Sequence, residues 1–186
     1  KSTLDEAALF AALGRQLAAG GGATLQQIVA ETGVSVGSIY HRFQSREGLL
    51  AEAWLDAVRA FQALVIAVLE DGAGDAGERA ALVTPQFCRA ERARATLLVC
   101  CRRSELVGDA TPEHLRREID RVNERASAAL RGFARRNGLS LAACRLALVA
   151  IPLGAVRMYL PAQSVPPSLD RYVLEACRAV LKAGAA

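Results

Sequence analysis

Long runs of β-branched residues are scarce in this chain of 186 residues. Alanine, leucine and arginine dominate instead, which turns the reading away from β-sheet and towards an all-α fold. Histidine is rarer still. His41 and His114 have no cysteines at ligand spacing, so no metal site is expected. Five cysteines, an odd number without small-scaffold spacing, argue against a disulfide framework and for reduced thiols in a cytoplasmic protein. No signal peptide is visible. The most apolar run, 146–156, is interrupted by Pro152 and flanked by Arg145 and Arg157, and is shorter than the roughly 20 residues a bilayer needs. No nucleophile–base pair or phosphate loop appears. The Gly20-Gly21-Gly22 run lies between helices rather than after a strand, so neither an enzyme nor a cofactor site is expected.

What the chain does have is concentrated in residues 24–47. Thr24 is a good N-cap, and Gln27 three residues on completes a capping-box pattern. Leu25, Ile28 and Val29 form an apolar stripe, and Gly33 is suited to end that helix. Ser35 caps a second short helix in which Val36, Ile39 and Phe43 recur at helical spacing and face inward. Gly37, Ser38, Tyr40, His41 and Arg42 are left facing out. Ser45 caps the next helix, and Glu47 suits its positive end. Two helices, a glycine turn and an exposed small-and-polar face make a helix-turn-helix, whose second helix enters the major groove of DNA.

The order T-L-Q-Q-I-V-A-E-T-G-V-S-V-G-S-I-Y-H-R-F-Q-S-R-E-G-L-L resembles the DNA-binding domain of TetR-family transcriptional regulators. Thr24, Ile28, Gly33, Val34, Ser35, Gly37, Tyr40, Phe43, Ser45 and Leu49 match the family pattern in order and spacing. Leu17 stands near the end of the first helix, where the family usually has an aromatic residue. The resemblance covers the N-terminal quarter. It implies a three-helix head (residues 1–45), then a long connector helix leading into a C-terminal helical bundle (46–186) that binds an effector and dimerises, about nine helices in all. It also implies a homodimer on a palindromic operator in double-stranded DNA. The chain starts at Lys1 with no Met, so a preceding segment is expected, and a short basic arm would be usual in the family. The net charge is +4, yet residues 1–54 hold four basic against five acidic side chains, so DNA binding must rest on a few placed contacts rather than a broad field.

Taken in order, residues 3–19 form the first helix, with Leu4, Ala7, Ala8, Ala11 and Leu17 on its buried side. The connector runs over 46–69, about 35 Å at the helical rise, with Leu50, Trp54, Ala57, Val58, Phe61, Leu64, Val65 and Val68 in period. The glycines of 71–77 mark a linker. A short helix over 78–87 is disturbed by Pro85, and another spans 89–103. Thr111 and Pro112 start a helix that stops at Asn137-Gly138. Ser140 caps one running to about Tyr159, kinked at Pro152, and Ser168 caps the last.

Three sets of candidate residues follow. Val36, Gly37 and Ser38 approach base edges, and Tyr40, His41 and Arg42 reach bases or phosphates. Thr24 takes a phosphate, and Arg46 stands where the family has a phosphate-contacting lysine. For the effector, which the resemblance places inside the bundle, the lining candidates are Phe61, Phe87, Cys88, Leu97, Cys101, Val122, Val149 and Tyr159. Ordinary core packing is the competing reading of each. Their apolar character suggests a small hydrophobic ligand. Residues 141–160 are apolar on more than one face, which makes the last two helices the dimer candidate, through Arg145, Leu148, Pro152, Val156, Tyr172, Val173, Cys177 and Val180. A thiol switch pairing Cys88 with Cys100 or Cys101 is the alternative mode of regulation on the same scaffold.

Overall fold

The computed structural model describes residues 5–20, 24–101, 106 and 108–184. Among them every element is a helix: α1 (Glu6–Ala18), α2 (Leu25–Thr32), α3 (Val36–Phe43), α4 (Arg46–Glu70), α5 (Ala76–Ala90), α6 (Arg92–Cys100), α7 (Glu113–Arg121), α8 (Glu124–Arg136), α9 and α10 (Leu169–Ala183). Helix α9 is continuous through Leu141–Arg145, Leu146–Ala150 and Ile151–Arg157. The all-α expectation is borne out. Leu4, Gly21, Gly22 and the end of the helix expected over 89–103 lie outside the described residues.

Packing divides the chain into two compact units, Lys1–Val58 with Glu91–Val122, and Arg59–Ala90 with Asn123–Ala186. Helices α6 and α7, assigned from the sequence to the C-terminal part, therefore pack with the head. In this first unit Leu9, Leu13, Ile28, Ile39, Phe43, Leu49, Leu55, Leu97, Leu115 and Ile119 form one buried cluster. Full burial of each large side chain contributes roughly 1.5–3 kcal/mol. Helix α1 is rotated from the expected phase. Ala7 and Ala8 are exposed, while Leu9, Phe10, Ala12 and Leu13 are buried. Alanine lies on every side of this helix, so its apolar stripe has weak contrast and the larger side chains decide the phase.

In the second unit α5 packs on α9 and α10. Arg89 makes a bidentate pair with Asp170 at 2.8 and 2.7 Å, and Arg178 does the same with Glu78. Pro85 does not end α5. It is buried inside the helix, which continues to Ala90. The helix expected over 111–137 is broken at Val122 and Asn123, and it starts after Pro112 rather than being capped by Thr111. Ser140 caps α9 as expected, by accepting from the Ala143 amide, whereas Ser168 gives α10 no side-chain cap. The disturbance at Pro152 takes the form of a π-helical turn over Leu146–Ala150. There the Ile151 amide donates to the Leu146 carbonyl five residues back, a wider ring that accommodates the proline.

Close approach of α1 and α6 depends on one glycine. A Cβ at Gly14 would meet the backbone carbonyl of Ala93, which cannot rotate away as a side chain could. Gly14→Ala gains about 1 kcal/mol of helix propensity but overpacks this crossing by about 1–3 kcal/mol or more. We expect thermal unfolding to show a lower midpoint, by about 2–8 °C. An unchanged or raised midpoint would mean that the two helices part freely.

Candidate nucleic-acid interface

The turn between α2 and α3 is set by local hydrogen bonds. Thr24 Oγ1 accepts from the Gln27 amide and Gln27 Oε1 accepts from the Thr24 amide, closing the capping box. Gly33 ends α2 at φ 71°, its amide donating to the Val29 carbonyl at 2.8 Å. Thr32 Oγ1 donates to the Ile28 carbonyl and accepts from the Val34 amide, which stiffens the turn. Ser35 Oγ then accepts from the Ser38 amide at 3.1 Å and starts α3.

Ile39 and Phe43 are buried at 0% and 1%, and Phe43 packs on Phe10 with ring centroids 6.0 Å apart. Gly37, Ser38, Tyr40, His41 and Arg42 are consequently exposed. Val36 is exposed as well, at 41%, rather than inward as its spacing suggested: at the first position of an eight-residue helix it precedes the packed turn. Tyr40 is 48% exposed. A Cβ on Gly37 would meet only Ser35 Oγ, at 3.9 Å, so packing within the unit does not demand a glycine there.

Arg42 is held by two carboxylates. Its Nε donates to Glu6 Oε1 at 2.7 Å, and its Nη1 and Nη2 donate to the two carboxylate oxygens of Glu52 at 2.9 and 3.0 Å. The Glu52 hydrogen bonds chiefly hold its pKa above the usual arginine value, against the opposing effect of burial. The fork geometry of guanidinium suits this bracket of α3 to α4 and α1. Arg15 is likewise paired, with Glu31. Thr24 and Arg46 are exposed at the starts of α2 and α4. Glu6 and Glu52 were not singled out from the sequence, since nothing local marks them as the partners of residue 42.

The ligand candidates do not come together. Leu97, Cys101 and Val122 belong to the core of the first unit, where α6 packs on α1. The second unit by itself contains a cavity of about 530 Å³, lined by Phe61, Val65, Leu130, Leu148, Val149 and Leu153 among others. Of the candidates only Phe61 and Val149 line it. Phe87 is buried against Phe61, edge to face at 5.4 Å, and Cys88 is buried in α5. Tyr159 is half-buried outside the lining. Gln62, Thr84, Asn123, Ser127 and Arg145 were missed as lining residues. Polar residues interrupting the apolar stripes of α4 and α8 were the available signal.

Among the dimer candidates Leu148, Pro152, Val156, Val173 and Cys177 are buried within their own unit. Among the described residues of this unit the exposed large apolar side chains are Leu64 on α4 and Leu146, Val149, Met158 and Tyr172 on or beside α9 and α10. A helix apolar on two faces cannot be phased from its periodicity alone, and the π-turn shifts the register further. No disulfide joins the cysteines. Burial pushes the thiols of Cys88 and Cys177 up to about 11. Among the described residues no group of three or more potential ligands could hold a metal, and no helix is long and apolar enough to cross a membrane.

A turn-linked helix pair with a buried Ile39–Phe43 edge and an open Gly37–Ser38–Tyr40 face defines a helix-turn-helix DNA-binding element. Residues 15–53 match the family described as bacterial regulatory proteins, tetR family. The match spans the helix-turn-helix and the start of α4, where the chain is similar to the DNA-binding domain of that family. Solved structures show the fold over nearly the whole length of the chain. A tetR family transcription regulator from Shewanella sp. PV-4 is 15% identical, with 99% of this chain and 100% of that one covered at a TM-score of 0.67. The TetR family regulator PfmR from Thermus thermophilus is 17% identical, with 94% and 97% covered at 0.65. A multidrug binding protein, EbrR, crystallised with ethidium, is 19% identical, with 97% and 99% covered at 0.58. No curated protein matches the sequence at a significant level.

The Arg42 bracket separates a positioning role from a phosphate contact. With Arg42→Ala we expect operator affinity to fall while the slope of log affinity against log salt stays unchanged. Loss of a phosphate contact would instead reduce that slope by about 0.9. A reduced slope would show that Arg42 leaves its carboxylates for DNA.

Proposed function

We propose that this protein is a transcriptional regulator of the TetR family and a ligand-responsive repressor. It binds a palindromic operator as a homodimer and leaves when a small hydrophobic effector fills the cavity of the second unit. The observation that carries the DNA part is the exposed face of α3, held out by the burial of Ile39 and Phe43. Contacts from Thr24, Val36, Gly37, Ser38, Tyr40, His41 and Arg46 read and grip the site, with Arg42 orienting α3. The cavity supports the effector part, and the ethidium held by EbrR is a precedent in the same fold for a small-molecule ligand. Helix α4 carries Phe61, Gln62, Val65 and Leu69 of the lining and also Leu49, Leu50 and Leu55 of the head core. An effector that prefers one setting of this helix shifts the spacing of two heads only by its difference in affinity for the two settings.

The exposed Leu146, Val149, Met158 and Tyr172 support a second copy as the partner that covers them. The recognition helices would then be roughly 34–36 Å apart, one helical turn of DNA, or wider. The thiol-switch alternative has no observation in its favour. Oxidation needs a thiolate, and Cys88 and Cys177, with their thiols at about 11, hold their protons near neutral pH.

A mobility-shift titration with the intergenic DNA upstream of the protein's own gene, across a salt series, tests the central reading. A palindromic fragment should be retained specifically, and Tyr40→Ala should weaken that retention without lowering thermal stability. Equal, steeply salt-dependent binding to every fragment would overturn self-regulation through a specific operator. For the dimer, Leu146→Glu combined with Tyr172→Glu should turn a dimer into a monomer in size-exclusion light scattering. A wild-type monomer, or an unaltered dimer in the double variant, would refute this face.

A further inference from the structure

The cavity of the second unit is asymmetric in charge. None of its lining residues is an aspartate or glutamate, and one, Arg145, is a cation. Arg145 is exposed and has no ion-pair partner among the described residues, in common with Arg131 and Arg157 and in contrast to Arg79, Arg89 and Arg178 of the same unit. Helix α9, which carries Arg145, has no acidic residue from 141 to 157. The remaining polar lining is neutral. Gln62 Nε2 donates to Asn123 Oδ1 at 2.8 Å, leaving the Asn123 amide as a donor and the Gln62 carbonyl as an acceptor, with the hydroxyls of Thr84 and Ser127 nearby in the lining. A cation entering this space meets a like charge and no counter-charge in the lining. A carboxylate, sulfonate or phosphate ester meets the one charge-assisted donor available.

We propose that the cavity takes an amphipathic anion, its apolar body lying between Phe61, Val65, Leu130 and Leu148 and its anionic head at Arg145. This rests on the reading of the cavity as the effector site and narrows the effector class. The volume of about 530 Å³ suits a molecule of drug size. It also separates this chain from a site built for cations, since the one lining charge here has the opposite requirement.

Three fluorescent probes test it on the full chain. They are 1-anilinonaphthalene-8-sulfonate, the same ring system without its sulfonate (N-phenyl-1-naphthylamine), and the cation ethidium. The sulfonate should bind at least about tenfold more tightly than either of the others, the worth of one charge-assisted hydrogen bond. Arg145→Gln should remove about tenfold of the sulfonate's affinity and leave that of the neutral amine within about twofold. Val65→Trp and Ser127→Leu, which fill the cavity from two different helices, should weaken both, placing the probes inside it. Equal affinity for sulfonate and amine, a preference for ethidium, or an Arg145→Gln variant that still favours the sulfonate would overturn the anion proposal. If the filling variants still abolish binding in those cases, the effector-site reading survives. Probes that do not bind, or that ignore both filling variants, would overturn the two together.

Discussion

Ile39 and Phe43 sit four residues apart on α3, and burying both fixes the rotation of that helix about its own axis. The cluster that receives them is drawn from α1, α2, α4, α6 and α7, so five helices cooperate to hold one edge of an eight-residue helix. The remainder of α3, namely Val36, Gly37, Ser38, Tyr40 and His41, is left exposed. The recognition surface is thus specified from behind, by packing. The surface side can vary with little cost to the fold, as the open space around Gly37 illustrates.

Electrostatics work differently in the head than a DNA-binding protein of net positive charge suggests. Residues 1–54 carry four basic and five acidic side chains, and Arg15 and Arg42 are taken up by Glu31, Glu6 and Glu52. Exposed ion pairs of this kind add little stability, typically about 0–1 kcal/mol each. The Arg42 fork contributes orientation instead, because three donors to two carboxylates restrict both the side chain and the helix that bears it. The described residues of the head therefore present no broad positive field.

The helix-turn-helix was legible because several local signals coincide there: Thr24 with Gln27, Gly33 at positive φ, Ser35 as a cap, and a sharp Ile39–Phe43 stripe. Helix α1 was legible as a helix but not in phase, because alanine on every side leaves the stripe faint. Leu97, Cys101 and Val122 pack in the first unit and do not line the cavity of the second, and the sequence does not show this. Periodicity tells that a side chain faces inward but not which helix it faces, and α6 and α7 turn theirs to the head. The partners of Arg42 come from α1 and α4, and nothing in the sequence around residue 42 names them.

Helix α9 shows how one residue can reshape a site without touching a ligand. Arg145 and Leu153 lie eight residues apart, and in a regular α-helix their directions would diverge by about 80°. Pro152 lacks an amide proton, and in a regular helix its ring would collide with the Leu148 carbonyl. The π-turn that accommodates it absorbs about one extra residue, with the Ile151 amide reaching back to Leu146. Eight residues then turn like seven, and the divergence falls to about 20°. Arg145, Val149 and Leu153 accordingly line the same cavity, together with the buried Leu148, while Pro152 is buried outside the lining. The proline that disturbs the helix therefore aligns the one charged residue of the lining with the apolar wall beyond it.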